Sequence, residues 1–118
     1  MKARLSHVMI DALDPERIGA FWAGLLGTEI ASRVDGGRFL FLRPTDGCPA
    51  IGIQRVPERK ETKNRVHVDL EVEDPEATAR WVREHGGNRV ADHRLGDLHW
   101  RVMADPEGNE FCLVPAAG

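Results

Sequence analysis

Two histidines stand sixty positions apart at the head of nearly the same phrase: His7 opens HVMIDALDPE and His67 opens HVDLEVEDPE. Short alternations of this kind read as strands, and successive strand residues face opposite sides. Val8, Ile10 and Ala12 share one face, which leaves His7, Met9 and Asp11 on the other. Likewise Val68, Leu70 and Val72 oppose His67, Asp69 and Glu71. In AIGIQR (50–55) the same parity turns Ile51 and Ile53 toward a core and Gly52 and Gln54 away from it. In NEFCLV (109–114) it turns Phe111 and Leu113 inward and Glu110, Cys112 and Val114 outward. Four equivalent strands therefore offer two imidazoles, an amide and a thiol on their non-core faces. Such groups can hold a divalent ion, or can simply line a polar cleft that receives an organic ligand. Asp69 and Glu71 are the candidate acid–base groups, provided that burial perturbs them.

The elements that position these residues are repeated too. After Asp14 and Pro15, the residues Ile18, Phe21, Trp22, Leu25 and Leu26 fall on one helical face, and Gly27 can end the helix. After Asp74 and Pro75 the stripe is Ala77, Trp81 and Val82, stopped by Gly86-Gly87. Phe21 matches Trp81 and Gly27 matches Gly87 at the same offset of sixty. Each helix is followed by three strand-like segments: TEIASRV, RFLFLR and AIGIQRV, then NRVADHR, LHWRVMA and NEFCLV. Asp, Gly and Pro at the breaks supply the turns. The fold expected is α+β, two βαβββ modules in tandem forming a curved mixed sheet around a central cleft, with one helix on the outer face of each module. Module one covers about 1–57 and module two about 66–118. Between them the run PERKETKNR (57–65) mixes charge signs and reads as a solvated linker.

Composition narrows the partners. A chain of 118 residues is one domain by length, and 42 % hydrophobic with 30 % charged residues is ordinary for a globular protein. A formal charge of −3 with scattered Lys and Arg argues against nucleic acid. No apolar run approaches a membrane span, and MKARLSHVMID lacks a signal-peptide core. Two cysteines, Cys48 and Cys112, make no disulfide framework, so a cytoplasmic location is expected.

The stretches SHVMIDALDPERIGAFWAGLLG, VHVDLEVEDPEATARWVREHGG and DPEGNEFCLV, in this order and spacing, resemble the vicinal oxygen chelate superfamily, the glyoxalase and bleomycin-resistance proteins. More narrowly, the chain resembles the small glyoxalase-like domain group. The resemblance covers essentially the whole chain, and its closing turn and strand are the most diagnostic part. It implies a homodimer, and it implies that metal ligands come from the first and last strands of each module. Those positions fall here on His7, Gln54, His67 and Cys112. Cys112 departs from the pattern, because a Glu is typical there. A thiolate at that place favours zinc over manganese, magnesium or iron as the one divalent metal. The missing Glu pair argues against true glyoxalase I activity.

Three functions stay open on this reading. The chain binds a small oxygen-rich or planar organic ligand, metal-free, in a cleft lined by His7, Met9, Gln54, His67, Asp69, Trp100 and Cys112. Alternatively it is a divalent-metal-dependent lyase, isomerase or dioxygenase that uses His7, Gln54 and His67. Third, it is a regulatory scaffold with no tight ligand. His99 and Trp100 lie on opposite faces of one strand, so one of them reaches the cleft; His85 and His93 read as exposed. Trp22 and Trp81 read as core, being on helical apolar stripes.

Overall fold

An Asp-Pro pair starts each helix in the manner the sequence predicts. The Asp14 carboxylate accepts from the Arg17 backbone N–H at 3.2 Å, and Asp74 accepts from that of Ala77 at 3.1 Å. Each satisfies one of the orphan donors of a helix N-terminus. The helices span Pro15–Leu26 (α1) and Pro75–Glu84 (α2). Gly27 closes α1 in the left-handed conformation at φ 68°, and the Thr28 N–H reaches back to the Ala23 carbonyl. That closure suits a residue with no Cβ. In α2 the left-handed glycine is Gly86, one place earlier than the sixty-residue match predicts, and the helix is two residues shorter.

The computed structural model describes residues 1–116; the last two residues of module two as delimited above lie outside the described residues. The chain forms two units that divide between Arg59 and Lys60, inside the 57–65 run. The first contains β1 (His7–Ala12), α1, β2 (Ile30–Val34), β3 (Phe39–Leu42) and β4 (Ala50–Arg55). The second contains β5 (Val68–Val72), α2, β6 (Asn88–Leu95), β7 (Leu98–Ala104) and β8 (Glu110–Pro115). Each unit is βαβββ, and its four strands form one mixed sheet, ordered β1-β4-β3-β2 in the first and β5-β8-β7-β6 in the second. The first and last strands of a unit run parallel and adjacent, as a helical crossover requires.

Core residues follow the strand parity. Ile18 of α1 is fully buried with the strand residues Leu40 and Ile53, and Val82 of α2 with Met103, Phe111 and Leu113. One expectation fails on this side: Trp81 is only half-buried. Its ring stacks on His85, centroids 3.9 Å apart, and the buried stripe of α2 runs through Ala79 and Val82 instead.

On the same side of the second sheet an ionic clamp holds α2. Glu76 in the first helical turn accepts from Arg101 Nε at 2.8 Å and from Arg89 at 2.9 Å. Those two hydrogen bonds hold its carboxyl at about 2, well below the usual carboxylate value.

Candidate functional site in the second module

Strand register brings three donors together on the helix-free face of the second sheet. Asp69 on β5 stands directly beside Cys112 on β8, and His67 lies two residues before Asp69 on the same face. The His67 Nε2 and Asp69 Oδ1 atoms are 3.4 Å apart. One ligand-capable atom from each of His67, Asp69 and Cys112 falls within 4.8 Å of the others. His67 and Asp69 are exposed, whereas Cys112 is buried.

A pocket of about 210 Å³ opens beside this cluster, lined by Lys63, Asn64, His67, His93, Trp100, Val102, Glu110, Phe111 and Cys112. Val102 pairs with Cys112 across β7 and β8, so Trp100 shares their face. It is therefore Trp100, not His99, that faces the pocket. His99 lies on the α2 side, where its Nε2 is 3.3 Å from Asp92. Opposite Trp100 on β6 stands His93, and their rings stack at 5.3 Å with an interplanar angle of 29°.

His93 is an exposed strand residue, as expected, and it also forms one wall of the pocket. Its pairing with Trp100 follows in unbroken register from the turn at residues 96–97 of the β6–β7 hairpin. The 57–65 run is exposed apart from half-buried Asn64, and it is tethered near its end. Lys63 Nζ sits 2.8 Å from Glu110 Oε1, and Asn64 Nδ2 donates to the Glu110 carbonyl at 3.0 Å. These contacts bind the segment to the start of β8, and both residues line the pocket beside Cys112.

Burial pushes the Cys112 thiol above its ordinary range, and the adjacent Asp69 carboxylate, which accepts its hydrogen bond, pushes it further. The ammonium of Lys63 works weakly in the opposite direction. The raising effects prevail, so Cys112 is a neutral thiol at physiological pH. Glu71 shares the face but stands beside Val114 near the strand end, outside the pocket lining.

The first module presents a different surface at the equivalent places. His7 and Met9 are exposed on the corresponding face, with the His7 ring edge-on to Phe41 at 5.6 Å. The partner of Met9 on β4 is Gly52, so Gly52 and not Gln54 holds the register of Cys112. A Cβ at Gly52 would lie 2.5 Å from the Met9 sulfur, so the thioether fills the space that the missing side chain leaves. Gln54 pairs instead with Asp11, four residues along from the partner of His7. Roughly 13 Å of strand thus separates Gln54 from His7, too far for both to hold one ion. The donors that the structure brings together are His67, Asp69 and Cys112. One N, one O and one S donor suit zinc, and the His67–Asp69 separation of 3.4 Å matches the edge of about 3.4 Å between light-atom ligands of a tetrahedral zinc ion.

A second hollow, of about 560 Å³, lies beside the start of α1 between Asp14, Glu16, Arg33, Gly36 and Arg55. Its Arg33 guanidinium is already paired with Glu16 at 2.9 Å.

A family model for a glyoxalase-like domain matches residues 7–114. No curated protein matches the chain. Among solved structures, a glyoxalase/bleomycin resistance protein/dioxygenase family enzyme from Burkholderia phytofirmans superposes with a TM-score of 0.77 at 21 % identity, covering 98 % of this chain and 100 % of that one. The fosfomycin resistance protein FosX from Mesorhizobium loti gives 0.75 at 18 %, covering 99 % and 95 %. The bleomycin-binding protein of Streptomyces verticillus, solved with copper(II)-bleomycin, gives 0.64 at 21 %, covering 99 % of both chains. At these identities the likeness is one of fold.

Proposed function

We propose that this chain, which belongs to the glyoxalase-like domain family of the vicinal oxygen chelate superfamily, binds a small planar, oxygen-bearing organic molecule in the pocket of its second module. The observation that carries the reading is the stacked His93–Trp100 wall facing Cys112 and Val102. An aromatic wall suits a flat ligand, and Lys63, Asn64 and His67 at the opening supply donors for its oxygens. A volume of about 210 Å³ falls below the usual range of drug-sized sites, which limits the occupant to about one ring. Structural neighbours that handle bleomycin and fosfomycin support small-molecule binding in general, not these ligands in particular.

The test is a panel of single-ring phenolic and carboxylic compounds, with thermal stabilisation and tryptophan fluorescence as readouts. At least one compound is expected to quench fluorescence and raise the melting temperature, with both effects abolished in Trp100→Ala. Responses that survive in Trp100→Ala would place the ligand elsewhere.

A second reading, divalent-metal-dependent lyase, isomerase or dioxygenase chemistry, is favoured by the His67–Asp69–Cys112 cluster. An ion bound there would supply Lewis-acid polarisation of a ligand oxygen. Around it, Lys63 and Asn64 would orient the ligand, and His93 and Trp100 would hold its plane. Metal analysis of untagged protein checks this reading: near-stoichiometric metal in the wild type that disappears in His67→Ala supports it. Metal-free protein that refuses added divalent ions removes it. A homodimer and a cytoplasmic setting accompany the proposal, the former checked by light scattering.

A further inference from the structure

We infer that Asp69 supplies the carboxylate that position 112 lacks, so that His67, Asp69 and Cys112 together form a zinc-type site contained in the second module. This rests on the second reading above, that the chain takes a divalent ion, and adds which residues hold it and which ions they select.

Three observations lead to this assignment. The three donors come from one parallel strand pair and its approach, so neighbouring backbone hydrogen bonds fix their spacing. The 3.4 Å between His67 Nε2 and Asp69 Oδ1 needs almost no change to become a tetrahedral edge at zinc. The first module supplies an internal contrast. At the places of His67, Asp69 and Cys112 it carries His7, Met9 and Gly52, with Met9 packed on Gly52. The repeat keeps the histidine in both modules, and the second alone adds a carboxylate and a thiol to it at these places.

The chemistry also sets selectivity. One thiolate and one carboxylate balance a divalent charge beside a neutral imidazole. A sulfur ligand favours zinc, cadmium or cobalt over magnesium or manganese. Three protein ligands are also the number found in zinc sites that keep a position for a ligand, and two of the three here, His67 and Cys112, line the pocket.

The test is a cobalt(II) titration of the full-length protein after chelator treatment, in a Cys48→Ser background so that one thiol remains. Expected is one equivalent of cobalt with a sulfur-to-metal charge-transfer band, displaced by zinc and not by magnesium. Cys112→Ser abolishes the band, and Asp69→Asn weakens binding by about tenfold or more, the loss typical of disturbing a metal's ligand environment. Asp92→Asn, on the α2 side of the sheet, leaves affinity unchanged. Because Cys112 is buried, its serine variant can lose stability. Zinc protection of Cys112 against a thiol reagent, present in the background protein and lost in Asp69→Asn, therefore stands as the second measurement. Cobalt binding without the band, or with wild-type affinity in Asp69→Asn, overturns the assignment while leaving metal binding intact. Failure to bind cobalt or zinc at all overturns both.

Discussion

Cys112 illustrates how environment decides what a side chain can do. Its place on the strand was legible from the period of two in NEFCLV, and so was its membership of the non-core face. Its burial was not, because strand parity says which face a residue takes and not what packs around it there. Burial and the Asp69 charge both raise the thiol, so the thiolate of metal-free protein forms only above the ordinary pH range of a cysteine. At pH 7 an alkylating reagent is therefore expected to modify exposed Cys48 well before Cys112. Asp69→Asn removes one of the two effects and accelerates Cys112 modification, read by mass spectrometry over time. An unchanged rate in Asp69→Asn would mean that burial alone controls the thiol. Gln54 teaches the reverse lesson. The sixty-residue offset leads from Cys112 to Gly52, so the register that separates Gln54 from the other donors was already present in the repeat.

Elements were the most legible scale, since Asp-Pro starts, glycine stops and apolar periodicity all act locally. Pairings that join elements were less so. Nothing in the α2 sequence announces that Glu76 receives guanidinium groups from both β6 and β7. The Arg101 side chain is only 10 % exposed while that of Glu76 is 56 % exposed, so removing the carboxylate strands a buried cation. Glu76→Gln is expected to cost about 1 kcal/mol in denaturant unfolding, because solvent screens a half-exposed carboxylate and the amide oxygen still accepts.

The pH dependence has a definite sign. Glu76 titrates at about 2 in the folded protein, against an ordinary value of 4.5 when unfolded. Its contribution is therefore complete above 4.5 and is lost as the pH falls toward 2. Glu76→Gln should flatten that acid limb of the stability profile; an unchanged limb would show that other carboxylates dominate it. Trp81 shows the limit of periodicity at this scale. A residue on the expected apolar stripe found a neighbouring ring one turn along, His85, and stayed half-exposed.

At the scale of the whole molecule, the repeat explains the fold and the departures from the repeat explain the chemistry. Two βαβββ units follow from one pattern written twice, and family membership follows from the same pattern. The second sheet nonetheless carries Asp69, Cys112 and Trp100 where, by strand register, the first carries Met9, Gly52 and Phe39. A fold of this kind hosts many chemistries, so function is decided by such differences rather than by the architecture. The central claim is that the second module holds the working pocket. It is tested most directly by amide chemical-shift mapping of the full chain during a screen of single-ring oxygen-bearing compounds. The account predicts that the largest shifts fall on Lys63, Asn64, His67, His93, Trp100 and Cys112. Shifts centred instead on the first module's His7, Phe41 and Gln54, or no binder among the compounds, would contradict it.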